Sequence, residues 1–137
     1  MTTKNHPFRI ALVEDNEFEI LLLQKNLRTF IQNEELHLKR DIVIEKFNTF
    51  EQFVTDFNVD THLVFSDLQL ENKHTGFDVL SYVKILRSEC KVVMLSSQIN
   101  EWKLYLSLLE GANGIILKNE LRYELCNFLV YKYVNAS

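Results

Sequence analysis

Short apolar runs alternate along the chain with longer stretches whose apolar residues recur at helical spacing, and this alternation restricts the available folds. The short runs predict β-strands over residues 8–13, 41–47, 62–66, 91–95 and 114–117. The longer stretches predict helices over residues 17–31, 49–57, 76–88, 100–111 and 119–134. Most of the strands are almost continuously apolar, which is typical of a parallel sheet covered by helices on both faces. The sequence therefore predicts an α/β fold in which five helices doubly wind a five-stranded parallel sheet.

Composition favours a single soluble domain. The chain has 137 residues, 47% of them hydrophobic, which is enough for one core and unlike a disordered chain. The formal net charge is -4 and the longest basic cluster lies at 38–40, which argues against nucleic-acid binding. Cys90 and Cys126 lie far apart without metal-binding spacing, as expected of reduced thiols. No segment resembles a signal peptide or a membrane span. We expect one cytoplasmic domain over residues 1–137, with its core at about 8–134 and no output domain.

Polar side chains follow the strands at the points where the apolar runs end. They are Glu14 and Asp15 after the first strand, Asp67 after the third, Ser96 and Ser97 after the fourth, and Lys118 after the fifth. In the common strand order 2-1-3-4-5, ligands bind at the carboxyl ends of the strands, beside the point where the order reverses. We therefore expect these side chains to meet at one rim of the sheet.

A set of three carboxylates, a hydroxyl and an ammonium has a consistent chemistry. Crowded carboxylates repel one another unless a cation is present, and oxygen ligands suit Mg²⁺ or Mn²⁺. One carboxylate would then act as a nucleophile towards phosphorus, and Asp67 is the best placed because its strand is central. Ser96 and Lys118 would stabilise the oxygens of the transferring group.

Each of these side chains also has an ordinary structural interpretation. Asp15 or Asn16 is a suitable cap for the first helix, and the serines would equally begin the fourth. Considered by itself, Lys118 would be interpreted as a solvated loop lysine, and Asp67 as a turn residue. Their joint occurrence at four strand ends favours a functional site.

The segments around these residues resemble a known module. They are "LVEDN" at 12–16, "LVFSDLQL" at 63–70 with Gly76 following, "VVMLSS" at 92–97 and "GANGIILK" at 111–118. Together they are similar to the receiver domain of two-component response regulators, over about residues 8–134. The resemblance implies the flavodoxin-like doubly wound fold.

The resemblance also implies a role for each matching residue. Asp67 corresponds to the phosphoacceptor, which receives a phosphoryl group from a sensor histidine kinase or a histidine phosphotransfer protein. Asp15 matches the direct magnesium ligand, Glu14 the acid that acts mainly through water, and Gln69 the residue whose backbone carbonyl completes the metal site. Ser96 matches the switch hydroxyl, and Lys118 the lysine that pairs with the phosphoryl group. Such domains catalyse this transfer and their own slow dephosphorylation but are not otherwise enzymes.

Some positions depart from the family pattern. Asn119 stands where a proline usually follows the lysine, and Ile115 where an aromatic switch residue is usual. The loop at 69–76 lacks the common Met-Pro, and Ser97 is bulkier than the residue often found there. These departures leave the phosphorylation chemistry in place and predict a different relay of the signal.

The fourth helix carries more apolar residues than one face can hold: Ile99, Trp102, Leu104, Tyr105, Leu106, Leu108 and Leu109. The resemblance implies that the face formed by helix four, strand five and helix five contacts an output partner or a second copy. We expect Trp102, Leu104 and Ile115 on or near this face, the alternative being that the surplus is more deeply buried.

Other functions fit the residues less well. A receiver-like docking module that needs no phosphate would be expected to have lost part of the polar set, although it remains the main alternative. A flavin or dinucleotide binder needs a glycine-rich phosphate loop, and Gly76, Gly111 and Gly114 form none. A phosphatase with an aspartate nucleophile is expected to carry a second acid two residues on, where this chain has Gln69.

Overall fold

The computed structural model describes residues 6–98, 100–118 and 123–136. The strands are β1 Phe8–Val13, β2 Ile42–Phe47, β3 Leu63–Asp67, β4 Lys91–Ser96 and β5 Gly114–Leu117. The helices are α1 Glu17–Asn33, α2 Phe50–Asp56, α3 Gly76–Leu86, α4 Glu101–Leu109 and α5 Tyr123–Ala136. A short 3-10 helix, Glu35–His37, connects α1 to β2. Every predicted element is present, and the predicted start of the last helix at 119 lies outside the described residues.

All five strands run parallel in the order β2-β1-β3-β4-β5, which confirms the predicted fold. β1 and β3 are direct neighbours, with Val13 opposite Ser66. β3 pairs with β4 through Asp67 and Leu95, and β4 pairs with β5 through Ser96 and Leu117. The strands that precede the predicted functional residues therefore end side by side.

Alternating strand residues build one core on each face of the sheet, as the two-residue period of a strand requires. Ile10 and Leu12 of β1 pack with buried residues of α1 and α5. Ala11 and Val13 of the same strand pack with buried residues of α2 and α3. Burial on both faces explains why the central strands are almost continuously apolar.

Side-chain caps fix where four of the helices begin. Asn16, Thr49, Thr75 and Asn100 each accept a hydrogen bond from a backbone N–H in the first turn of α1, α2, α3 and α4 respectively. The structure thus assigns the cap of α1 to Asn16 and the cap of α4 to Asn100, not to Asp15 or to a serine. Among the described residues, no helix is long and apolar enough to span a bilayer.

Candidate functional site

The predicted polar residues lie at the carboxyl rim of the sheet. Glu14 directly follows β1, Asp67 is the last residue of β3, Ser96 is the last of β4, and Lys118 directly follows β5. The Lys118 N–H donates to the Ser96 carbonyl at 2.7 Å, which holds the end of β5 against β4. Glu14, Asp67 and Ser96 are all buried.

The Lys118 ammonium lies among three carboxylates. Its Nζ is 2.5 Å from Glu14 Oε1 and 2.5 Å from Glu19 Oε2, and 3.4 Å from Asp67 Oδ2. Only 9% of its side chain is exposed. The Lys118 side chain is therefore almost fully enclosed and ion-paired, which rules out the solvated-loop interpretation.

Burial and crowding set the protonation of this group. Burial raises the pKa of Glu14, and its contacts with Glu19 and Asp67 raise it further, whereas the hydrogen bond from Lys118 opposes the shift. The hydrogen bond with Glu14 lowers the pKa of Glu19 against partial burial, and Lys118 lowers it further. Burial acts to lower the pKa of Lys118, but its bonds to Glu14 and Glu19 outweigh burial and raise it. The site thus favours a positive charge at its centre.

The donor set fits a hard divalent cation. One carboxylate oxygen from each of Glu14, Glu19 and Asp67 lies within 4.8 Å of the others. Carboxylate oxygens are the ligands that Mg²⁺ and Mn²⁺ prefer, and a bound cation would supply positive charge where burial and crowding disfavour ionised carboxylates.

The predicted metal ligands differ in whether they lie in the carboxylate cluster. Glu14 Oε2 accepts a hydrogen bond from the Asn16 N–H at 3.3 Å, which orients its carboxylate. The half-buried Asp15 is not among the carboxylates that cluster within 4.8 Å. Gln69 is exposed, and its N–H lies 3.4 Å from Asp67 Oδ1. The roles of Asp15 and of the Gln69 carbonyl stay predictions.

Glu19 is the cluster member that sequence reasoning missed. It lies in the first turn of α1, where an acidic residue usually favours the positive end of the helix dipole. The available signal was the position of that turn, directly after the rim residues at 14 and 15. A glutamate there is long enough to reach Lys118.

The serine hydroxyl is bonded to its own loop. Ser96 Oγ donates to the Gln98 carbonyl at 2.5 Å. Rotation of the Ser96 side chain would free this hydroxyl. Because the hydroxyl is bonded to Gln98, its role as a switch stays a prediction.

The loop after Asp67 is closed by a tight approach to α3. The Gly76 N–H donates to the Leu68 carbonyl at 2.9 Å. A Cβ at Gly76 would lie 2.6 Å from Met94 Sδ and 2.8 Å from the Asp67 carbonyl oxygen. Only glycine fits here without displacing the backbone of the phosphoacceptor candidate. The loop's His74 pairs with Glu51 and Asp78, so it is turned to α2 and α3.

The α4 helix exposes large apolar side chains. The apolar residues that exceed one face of this helix are therefore exposed and not more deeply buried. Its exposed members are Trp102, Leu104, Tyr105, Leu108 and Leu109, and we call them the α4 surface. Trp102 is 66% exposed and Leu109 is 64% exposed. Ile115 of the neighbouring β5 is half-buried against the core. Ile99 and Asn119 lie outside the described residues.

Comparison with known proteins gives structural matches only. No protein-family model and no curated protein matches the chain. DrrB of Thermotoga maritima, an OmpR/PhoB homolog, is 20% identical over 96% of this chain and 54% of its own, with a TM-score of 0.74. The chain thus spans about half of that protein's length.

Isolated receiver domains match over nearly their full length. The BeF3-activated DrrB receiver domain is 20% identical over 95% of this chain and 99% of its own, with a TM-score of 0.73. The non-phosphorylated HemR receiver domain from Leptospira biflexa is 22% identical over 92% of this chain and 94% of its own, with a TM-score of 0.70. The structural neighbours are response regulator receiver domains, and the chain has their fold.

Proposed function

We propose that the protein is a phosphoacceptor receiver of two-component signalling, in which Asp67 accepts a phosphoryl group. The observation that carries the proposal is the nearly enclosed Lys118 ammonium held among Glu14, Glu19 and Asp67 at the carboxyl rim. A carboxylate in this position can attack phosphorus, and an ammonium beside it can stabilise the negative charge that develops on the phosphoryl oxygens. The fold and the match of the rim residues to the receiver pattern support the same conclusion.

The transfer step follows from the position of Asp67. An Asp67 carboxylate oxygen attacks phosphorus and forms an O–P bond, while the P–N bond of a phosphohistidine breaks. The imidazole nitrogen of the donor keeps the electron pair of the broken bond. Lys118 moves from its carboxylate partners towards the phosphoryl oxygens, and the Ser96 hydroxyl leaves Gln98 to donate to another of them. Hydrolysis by water later regenerates the Asp67 carboxylate and releases inorganic phosphate. Apart from its own phosphorylation and dephosphorylation, the domain is proposed to catalyse no reaction.

Glu14 and Asp67, with Asp15 and the Gln69 carbonyl, would hold the divalent cation, Mg²⁺ or Mn²⁺. When bound, that cation would neutralise charge on the phosphoryl oxygens and on the carboxylates. The proposed donors are a sensor histidine kinase or a histidine phosphotransfer protein in the cytoplasm. Neither a nucleic acid nor a membrane is a proposed partner.

We further propose that the α4 surface is the contact for output. Its side chains are exposed and apolar, and the α4 helix contacts β5, which directly precedes Lys118. In this proposal phosphorylation moves Lys118, and β5 passes that movement on to the α4 surface. The occupant would be a protein partner or a second copy of the chain, bound through α4, β5 and α5.

The experiment that tests phosphorylation is intact-mass spectrometry after incubation with acetyl phosphate, with and without Mg²⁺. We expect a mass gain of one phosphoryl group that requires Mg²⁺ and is absent in Asp67→Asn. Asp60→Asn is the matched control, because Asp60 is an exposed aspartate at the other end of β3. Phosphorylation of Asp67→Asn at the wild-type level would overturn the assignment.

The alternative function is a docking module that needs no phosphate. The observation in its favour is the α4 surface itself, whose large apolar side chains are exposed and available to a partner. If the folded wild-type protein gains no mass while a known receiver does in the same mixture, this alternative replaces the proposal.

A further inference from the structure

Glu19 holds Lys118 as closely as Glu14 does. Lys118 Nζ lies 2.5 Å from an oxygen of each glutamate but 3.4 Å from Asp67 Oδ2. The Glu19 N–H donates to the Asn16 cap at 3.0 Å, which fixes its place in the first turn of α1. Among the described residues, Lys118 is therefore bound mainly by Glu14 and Glu19 and only loosely by Asp67.

The two glutamates differ in how firmly they are held. Glu14 has a second contact through the Asn16 N–H, and only 4% of its side chain is exposed. The Glu19 side chain is 37% exposed. Water would replace Lys118 at Glu19 at little cost, whereas Glu14 stays buried beside the site.

From this arrangement we infer that Glu19 is a positioning residue that competes with the incoming phosphoryl group for Lys118 and so slows the phosphorylation of Asp67. The inference rests on the proposed function of Asp67. Because Lys118 must move towards the phosphoryl oxygens, its bond to Glu19 has to break first. The negative charge of Glu19 also opposes the approach of an anionic donor.

The substitution Glu19→Gln tests this competition. Glutamine keeps the length of the side chain and an oxygen acceptor but removes the charge that binds Lys118. The matched control is Glu17→Gln, which removes a charge from the same helical turn at a residue bonded to Asn48 instead of Lys118. Rates of phosphorylation by acetyl phosphate are measured at saturating Mg²⁺, so that an altered metal affinity does not enter them.

Two readouts separate the inference from a merely structural role. The ¹⁵Nζ signal of Lys118, assigned by its loss in Lys118→Arg, should shift in Glu19→Gln and keep its position in Glu17→Gln. The phosphorylation rate of Glu19→Gln should exceed that of Glu17→Gln by roughly two- to fivefold, the ratio expected for one partly exposed ion pair.

The outcomes are distinguishable. A Glu19→Gln rate equal to or below the control rate would overturn the inference while wild-type phosphorylation upholds the proposed function. A higher Mg²⁺ requirement without a faster saturated rate would make Glu19 a metal ligand and would also overturn it. A folded wild-type protein that is never phosphorylated would remove the proposed function itself, and the inference with it.

Discussion

His62 lies at the opposite end of β3 from Asp67 and is held in its neutral form. Its ring stacks on Phe8 with centroids 4.8 Å apart, and its Nδ1 accepts a hydrogen bond from the Arg9 N–H at 3.1 Å. Burial, followed by the nearby charges of Arg40 and Arg87, lowers the pKa of His62 from 6.5 to about 4. A proton on His62 is therefore unfavourable in the folded state.

This shift predicts a contribution to the pH dependence of stability. At a pH between the two pKa values, His62 binds a proton in the unfolded chain but not in the folded chain. The contribution of neutral His62 to the free energy of unfolding is therefore present above about pH 6.5 and is lost as the pH falls to about 4. His62→Gln keeps an acceptor for the Arg9 N–H and should lose less stability over this range than the wild type. Urea unfolding at a series of pH values measures both curves, and parallel curves would contradict the prediction.

Single side chains also mark the limit of what the sequence predicts. Glu14, Asp67 and Lys118 were predicted together, because parallel strands must end at a shared rim. Glu19 was missed, because the reach of a glutamate across a helix turn depends on the angle at which α1 leaves the sheet. That angle is set by tertiary packing, which the residue pattern does not encode.

The junction between β3 and α3 depends on one glycine. At Gly76 an added Cβ would lie 2.8 Å from the Asp67 carbonyl oxygen, a backbone atom that cannot rotate away. We expect Gly76→Ala to lower the free energy of unfolding by about 1–3 kcal/mol, as overpacking typically does. We also expect it to slow phosphorylation, because the backbone that shifts carries Asp67.

Gly114→Ala is the control, since its Cβ would meet only Val93 Cγ1 at an ordinary 3.9 Å. Its free energy of unfolding, measured by urea titration beside that of Gly76→Ala, should stay close to the wild-type value. Equal effects of the two substitutions would show that close packing at Gly76 is not the cause.

The α4 helix is expected to contribute more to association than to stability. Because Trp102 is mostly exposed, Trp102→Ala should change the free energy of unfolding by less than about 1 kcal/mol. It should nevertheless weaken self-association of the phosphorylated protein in sedimentation velocity. Ile85→Ala is the control, because Ile85 is 84% exposed on α3 and does not belong to the α4 surface.

Two outcomes bear on that surface differently. If Trp102→Ala associates as strongly as Ile85→Ala, the α4 surface is not the interface. If the phosphorylated wild type remains monomeric, the second copy is excluded as the occupant, and a different protein partner is what the α4 surface would bind.

The two cores on opposite faces of the sheet each contain one cysteine. Cys90 belongs to the core under α2 and α3, and Cys126 to the core under α1 and α5. Burial raises the pKa of Cys90 to about 11 and that of Cys126 to about 12. Neutral, buried thiols react slowly, because the thiolate is the reactive form.

We expect both cysteines to resist thiol labelling in the native state and to become reactive at the same urea concentration. Since the cores share one sheet, the domain should unfold as a single cooperative unit. Labelling each thiol in a variant that lacks the other measures the two transitions separately. Labelling of Cys126 at a clearly lower urea concentration than Cys90 would show that the α1–α5 face opens independently.

The overall architecture was the most predictable part of this protein. Alternating strand and helix patterns require right-handed crossovers, and continuous apolar strands require a sheet covered on both sides. The strand order then placed Glu14 beside Asp67, as the pairing of β1 with β3 confirms. Asp15 could not be placed in the same way, because a carboxylate one residue further along the loop is positioned by the turn and not by the sheet.

The most direct measurement is the location of the phosphoryl group. Borohydride converts an aspartyl phosphate to homoserine, and peptide mapping by mass spectrometry then identifies the modified residue. After incubation with acetyl phosphate and Mg²⁺ we predict homoserine at position 67, in an amount that falls when Mg²⁺ is removed. Homoserine at another aspartate, or a phosphorylated protein with unmodified Asp67, would contradict the proposal that Asp67 is the phosphoacceptor.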